Sequence, residues 1–328
     1  MRIFIADKFE QSGIDRLQRM GCEVIYRPGT QGEALTDAMK KENCGVLIVR
    51  STRVTRETLE AAPNLHMVIR AGAGTDTIDV PSASELGIRV CNCPGMNSVA
   101  VAELTIGMMI ALDRRIVDET DDLRQRVWNK KEYSKARGLK GRTLGIWGLG
   151  RIGAEVARRA RAFEMRILYC DVVERPDLEQ ELGLCRVQPE QLLAESDFLT
   201  LHVPGGPQTK HLIGEEELAL MKPTAFIINC SRGGVVDEKA LAKAIQLGAI
   251  GGAALDVYEV EPSADEREFR DPILEVPRVY GTHHIGASTE QAQAAVAEET
   301  VRIVQTFMEC REFLHCVNPA EKQPMFRA

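Results

Sequence analysis

Gly148-Leu149-Gly150-Arg151-Ile152-Gly153 is the pattern in this 328-residue chain best suited to holding a phosphate. It follows the strand-like run Thr143-Leu144-Gly145-Ile146-Trp147 and opens a stretch with apolar residues at Ile152, Val156, Ala160 and Phe163, the stripe of a helix. Glycines at Gly148, Gly150 and Gly153 permit a tight turn and let backbone N–H groups and the positive helix end approach a pyrophosphate. Asp171 ends the next run, Arg166–Cys170, where a carboxylate can accept hydrogen bonds from both hydroxyls of an adenosine ribose. A 2′-phosphate there would meet like charge, a repulsion of about 4 kcal/mol per charge pair at ~4 Å and an effective dielectric of about 20. The expected cofactor is NAD rather than NADP, although Arg175 is close enough to offset Asp171 if the loop turns back.

Three further polar residues follow strand-like runs in the later half of the chain: Arg232 in Asn229-Cys230-Ser231-Arg232-Gly233-Gly234, Glu261 before Pro262, and His284 in Thr282-His283-His284-Ile285-Gly286. Ligands of open α/β sheets bind outside the carboxyl ends of strands. In hydride chemistry on a 2-keto acid, a guanidinium can clamp the carboxylate and carbonyl, an imidazolium can give a proton to the new alkoxide, and a carboxylate can orient that imidazole. Each residue alone reads as a solvated arginine, a surface glutamate or a core histidine; their order within glycine-rich contexts favours the chemical role. His283 and His284 are adjacent, and strand alternation would point them in opposite directions. His284, which precedes Ile285-Gly286, is the one expected to carry the proton.

The elements that must position these residues are short apolar runs (Ile3–Ala6, Val46–Val49, Met67–Ile69, Leu144–Trp147, Ile167–Tyr169, Phe198–Leu201, Ala225–Ile228, Ala253–Val257) separated by segments of helical period. That alternation calls for parallel sheets covered on both faces, an α/β fold. A Pro/Gly/Asn cluster at Asn92–Ser98 leads into a helical stretch from Val99 into the 120s, and Ser288 or Thr289 can cap a last helix running to about Phe313. Domain boundaries are therefore expected near 98 and 288: residues 1–98 with 288–328, and residues 99–287.

With 41 Lys and Arg against 48 Asp and Glu, net charge −7 and no long charge blocks, nucleic acid and anionic membranes are not the expected partners. The apolar stretch Val99–Leu112 is interrupted by Glu103 and is shorter than a membrane span. The chain opens on a strand-like run without a signal-peptide core, and its nine cysteines are an odd set with one CxC pair, Cys91 and Cys93. Reduced thiols, a cytosolic location and no metal site are expected.

Together with Arg50-Ser51-Thr52, Arg70–Asp76, Ala102–Thr105, Gly141–Gly145, Gly251–Val257 and Gly286–Thr289, these motifs resemble the D-2-hydroxyacid dehydrogenase family over nearly the whole chain. The resemblance implies two Rossmann-like, doubly wound domains, the substrate domain discontinuous, closing on a cleft and dimerising through the nucleotide domain. It implies that Arg232, Glu261 and His284 are catalytic, with Asp256 tuning them. It also implies that Gly148, Gly150, Arg151, Ile152, Gly153, Asp171, His202, Val203, Pro204, Cys230, Ser231, Asp256, His284 and Gly286 line NAD. Arg50, Ser51, Ala73, Gly74 and Asn97 would join Arg232 and His284 on the substrate.

The resemblance is greatest to members acting on 3-phospho-D-glycerate, with Arg50, Arg53, Lys130, Lys131 and Arg137 as candidate phosphate ligands or simply a solvated basic surface. Hydroxypyruvate or glyoxylate reduction, and NAD-sensing by a corepressor-like protein, remain the alternatives. Three positions depart from the family pattern: His283 stands where a proline usually precedes the histidine, Thr77 where many phosphoglycerate-acting members have Asn, and Trp147 in place of a small aliphatic residue. The sequence ends at Ala328, soon after these motifs, so the serine-sensing C-terminal domain of longer members is not expected.

Overall fold

The structure, a computed structural model, describes residues 1–262 and 268–319. The chain divides into two compact units, Met1–Asn97 with the chain from Ser288, and Ser98–Ala287.

In the first unit, β1 (Arg2–Ile5), β2 (Glu23–Tyr26), β3 (Val46–Val49), β4 (Met67–Arg70) and β5 (Arg89–Asn92) form a parallel sheet ordered β2-β1-β3-β4-β5. Period-2 alternation sends Phe4, Leu47, Val68 and Val90 to one core, and Ile3, Ile48, Ile69 and Cys91 to another shared with Val301, Val304 and Phe307 of the helix Glu290–Cys310. Fully burying each large aliphatic side chain is worth roughly 1.5–3 kcal/mol, so both faces must be covered. Strand order reverses at β1, which opens a crevice at the carboxyl ends of β1 and β3.

The second unit holds β6 (Thr143–Trp147), β7 (Arg166–Cys170), β8 (Cys185–Arg186), β9 (Phe198–Leu201), β10 (Phe226–Asn229), β11 (Gly252–Leu255) and β12 (Val279–Gly281). They lie parallel in the order β12-β11-β10-β9-β6-β7-β8. Here the reversal falls at β6, between β7 and β9. The glycine motif after β6 and the segment His202–Pro204 after β9 therefore meet at the switch point, where such sheets bind ligands.

Several expectations are corrected. The helical stretch from Val99 is two helices, Ser98–Arg114 and Ile116–Arg124, because Arg115 turns left-handed at φ 55°. That conformation costs an L-residue roughly 1–2 kcal/mol. Ion pairs of Arg115 with Asp118 and Glu132, and its seat over the Tyr133 ring, oppose that cost. The last helix is capped by Thr289, whose hydroxyl accepts from Ala292 N, and it stops at Cys310, short of Phe313, where Arg311 turns left-handed. The apolar content of β2, β5, β8 and β12 does not mark them as strands. Among the described residues no helix is long and apolar enough to cross a membrane.

Candidate active site

The glycine motif is built as its spacing requires. Gly148 adopts φ +96°, and a Cβ there would sit 2.5 Å from the His202 carbonyl oxygen; a Cβ on Gly153 would sit 2.2 Å from that of Gly148. Nothing lies within 4 Å of the Cβ position of Gly150, so the approach to the helix Arg151–Ala162 is open on that side. No side chain caps this helix, which leaves the N–H groups at its start for an anion. Asp171 braces the turn: one carboxylate oxygen accepts from Leu149 N at 2.5 Å and the other from Val173 N at 2.9 Å. Arg175 does turn back, donating to the Leu149 carbonyl, but its Nε and Nη2 are held by Asp177. These residues fit a dinucleotide.

Across the switch point His202 donates or accepts through Nε2 to Thr200 Oγ1 at 3.0 Å, and burial lowers its pKa to about 3, so the imidazole is neutral. Cys230 is buried against Met108, and its thiol is pushed up to about 12 by burial. Ser231 N–H and O–H both donate to Asn229 Oδ1. Together these contacts fix the loop that carries Arg232.

Arg232 donates to the Ser231 carbonyl oxygen, and its aliphatic stem packs beside Gly205. Gly233 follows because a Cβ there would lie 1.7 Å from the Tyr258 carbonyl oxygen. His284 sits at φ 52°, beyond the end of β12, so strand alternation does not govern the two histidines. Both border a cavity of about 350 Å³ with Tyr258, Leu274 and Tyr280. Of the two, it is His284 that meets Glu261: its Nδ1 lies 2.8 Å from Glu261 Oε2.

That contact sets both pKa values. The hydrogen bond to Glu261 raises His284 above its usual 6.5 against the opposing effect of burial. Burial by itself would raise Glu261, but the bond and charge of His284 hold it below the usual carboxylate range. The contact thus favours the imidazolium–carboxylate form of the pair and engages Nδ1 of His284 rather than Nε2. Asp256, buried at the end of β11, accepts from Thr282 Oγ1 at 2.6 Å and from Ile285 N and Gly286 N at 2.8 Å each. It holds the loop on both sides of His284.

The substrate candidates Arg50, Ser51, Ala73, Gly74 and Asn97 all belong to the first unit. Arg50 donates to Gln293 Oε1 and Ser288 Oγ, and Asn97 Oδ1 is buried with no hydrogen-bond partner among the described residues. The proposed phosphate ligands are scattered: Arg50 and Arg53 in the first unit, Lys130 and Lys131 exposed on the helix Lys130–Tyr133, and Arg137 bound to Thr224. Sequence reasoning missed Asp7, which follows β1 and accepts from the backbone of Arg50, Ser51 and Thr52 and from two of their hydroxyls. It also missed Asn92, which donates to the Ala73 carbonyl oxygen, and Thr282. A lone carboxylate after a strand was the only available signal for Asp7. Among the described residues no group of three or more His, Cys, Asp and Glu side chains is placed to hold a metal.

Residues 106–286 match the family described as D-isomer specific 2-hydroxyacid dehydrogenase, NAD binding domain. The chain belongs to this family. It is 43% identical over 311 residues to D-3-phosphoglycerate dehydrogenase of Methanocaldococcus jannaschii, covering 93% of this chain and 58% of that protein. It is 38% identical over 304 residues to glyoxylate reductase of Thermococcus litoralis, covering 90% of each. The chain spans little more than half the length of the phosphoglycerate dehydrogenases it matches. Among solved members of the family fold, D-lactate dehydrogenase from Aquifex aeolicus complexed with NAD and lactic acid superposes with a TM-score of 0.83 at 31% identity, covering 98% of this chain and 100% of that one. The matched NAD-binding domain lies within the second unit, and the residues at its switch point fit that cofactor.

Proposed function

We propose that the protein is a cytosolic NAD-dependent dehydrogenase of D-2-hydroxy acids, with 3-phospho-D-glycerate and 3-phosphohydroxypyruvate as its substrate pair. The His284–Glu261 contact at 2.8 Å is the observation that carries the chemistry. NAD would lie on the glycine motif, Asp171, His202–Pro204 and Cys230-Ser231, and when bound it supplies the hydride acceptor or donor. Arg232 clamps the carboxylate and the C2 oxygen of the substrate. In reduction His284 gives its Nε2 proton to that oxygen as it becomes an alkoxide; in oxidation it takes the proton back. Glu261 keeps the imidazolium charged and oriented, and Asp256 keeps its loop in place. Arg50, Ser51, Ala73-Gly74 and Asn97 are proposed to recognise the substrate's carboxylate or phosphate.

A second reading, glyoxylate or hydroxypyruvate reduction, is favoured by the match over 90% of a glyoxylate reductase and by the scatter of the basic residues. NADH oxidation with 3-phosphohydroxypyruvate, hydroxypyruvate and glyoxylate separates the two. We expect the highest kcat/KM with the phosphorylated acid, and a lower one with NADPH in place of NADH. Equal or better use of the unphosphorylated acids removes the phosphate site and leaves the acid–base pair standing. Absence of turnover with every acid supports an NAD-sensing role instead.

We further propose a homodimer formed through the nucleotide domain. In its support, Trp128 is 79% exposed and Leu123 57% exposed, with Val127 and Ile116 also open to solvent. Sedimentation is expected to give a dimer that Trp128→Glu splits; a monomeric parent protein overturns the proposal.

A further inference from the structure

The chain beyond the last helix returns to the edge of the first sheet. Val317 N donates to the Val90 carbonyl at 2.8 Å, and Asn92 N to the His315 carbonyl at 3.3 Å. These two bonds flank Cys91 and Cys316, which pair as an antiparallel bridge. Asn318 closes the contact by accepting from Val90 N and donating to the Ile88 carbonyl. β5 is the last strand of its sheet, so this segment also covers an otherwise open edge.

A residue pair flanked by such bonds, and not joined by them, has Cα atoms about 4.5 Å apart with both side chains on the same face. That separation lies within the roughly 4.4–6.8 Å that a disulfide bridges. We propose that Cys91 and Cys316 form an oxidation site, joined as a reversible disulfide by a hydroperoxide. Cys93, two residues along the same strand, is held elsewhere, its thiol 3.4 Å from Thr300 Oγ1 and 3.7 Å from the Val296 carbonyl.

The two thiols differ in access. Cys316 is half-buried, while Cys91 is fully buried and its thiol is raised by that burial and further by the neighbouring Cys316. Cys316 is therefore the group the oxidant reaches first. Its sulfur attacks the peroxide, the O–O bond breaks, and a sulfenic acid forms while the second oxygen leaves as water with the thiol proton. The Cys91 sulfur then displaces the hydroxyl: the S–S bond forms, the S–O bond breaks, and the hydroxide leaves as water with the Cys91 proton. Two thiols are oxidised by two electrons in all, and one hydrogen peroxide becomes two waters. The link ties the chain end to the strand whose Asn92 and Cys93 hold the loop Gly72–Ala73.

The test treats the whole protein with hydrogen peroxide, blocks the remaining thiols with N-ethylmaleimide and maps peptides without reductant. The expected result is a cross-linked pair containing Cys91 and Cys316 that separates with dithiothreitol and is missing from Cys316→Ser. Oxidised parent protein is expected to melt at a higher temperature than reduced protein, with no such difference in the variant. In Cys91→Ser, dimedone is expected to trap the Cys316 sulfenic acid. Recovery of Cys316 unlinked in oxidised, still folded parent protein, or linked to any other cysteine, overturns the proposal.

Discussion

His284→Ala is expected to lower turnover about 10²- to 10⁴-fold with NADH still held by the glycine motif, because it removes the proposed general acid. The measurement is steady-state kcat together with NADH titration by fluorescence. The same variant series gives a pH signature. In the proposed reduction His284 enters protonated, and the hydrogen bond to Glu261 raises its pKa above the usual 6.5. The rate is therefore highest below that raised pKa and falls as pH rises through it. Glu261→Gln keeps a hydrogen-bond acceptor but loses the charge, so the fall moves to lower pH. Near-native turnover in His284→Ala, or an unmoved profile in Glu261→Gln, would show that this pair is not the acid.

Arg232→Lys is expected to cost on the order of 10²- to 10³-fold in kcat/KM, since one ammonium cannot reproduce a planar two-pronged contact to a carboxylate and a carbonyl. The loss should fall on both kcat and the KM for the keto acid, leaving NADH binding close to that of the parent. Gly233 beside it tolerates no Cβ, so the loop conformation stays dictated by Gly233, Asn229 and Ser231 in the variant. A change confined to NADH affinity would move Arg232 from the substrate to the cofactor.

Much of the site was legible because its signals are local. The turn after β6 needs left-handed backbone at Gly148 and close packing at Gly153, and these demands are met within six consecutive residues. The same holds for the cap of the last helix, which its neighbours narrow to Ser288 or Thr289 and which Thr289 supplies. Runs such as Val46–Val49 and Phe198–Leu201 are buried on both faces, so their apolar content alone announces strands. β8, two exposed residues long, and β12, ending in glycine, carry no such excess; they are strands because Tyr169 and Leu255 lie beside them. The helix from Ser98 reads as continuous because its period persists through Arg115, and it breaks there because Glu132, well away in sequence, takes the guanidinium.

By itself the sequence determined the fold class, the glycine turn after β6 and the kinds of group available for proton transfer, since each depends on residue type, period or short spacing. Only the tertiary structure decided which histidine meets Glu261, that Asp256 holds the loop around it, that Asp7 gathers the turn after β3, and that Cys91 faces Cys316. Each of these contacts joins residues from separate elements. Their meeting is set by strand order and register, which hydrogen bonds between distant segments fix and no local pattern encodes.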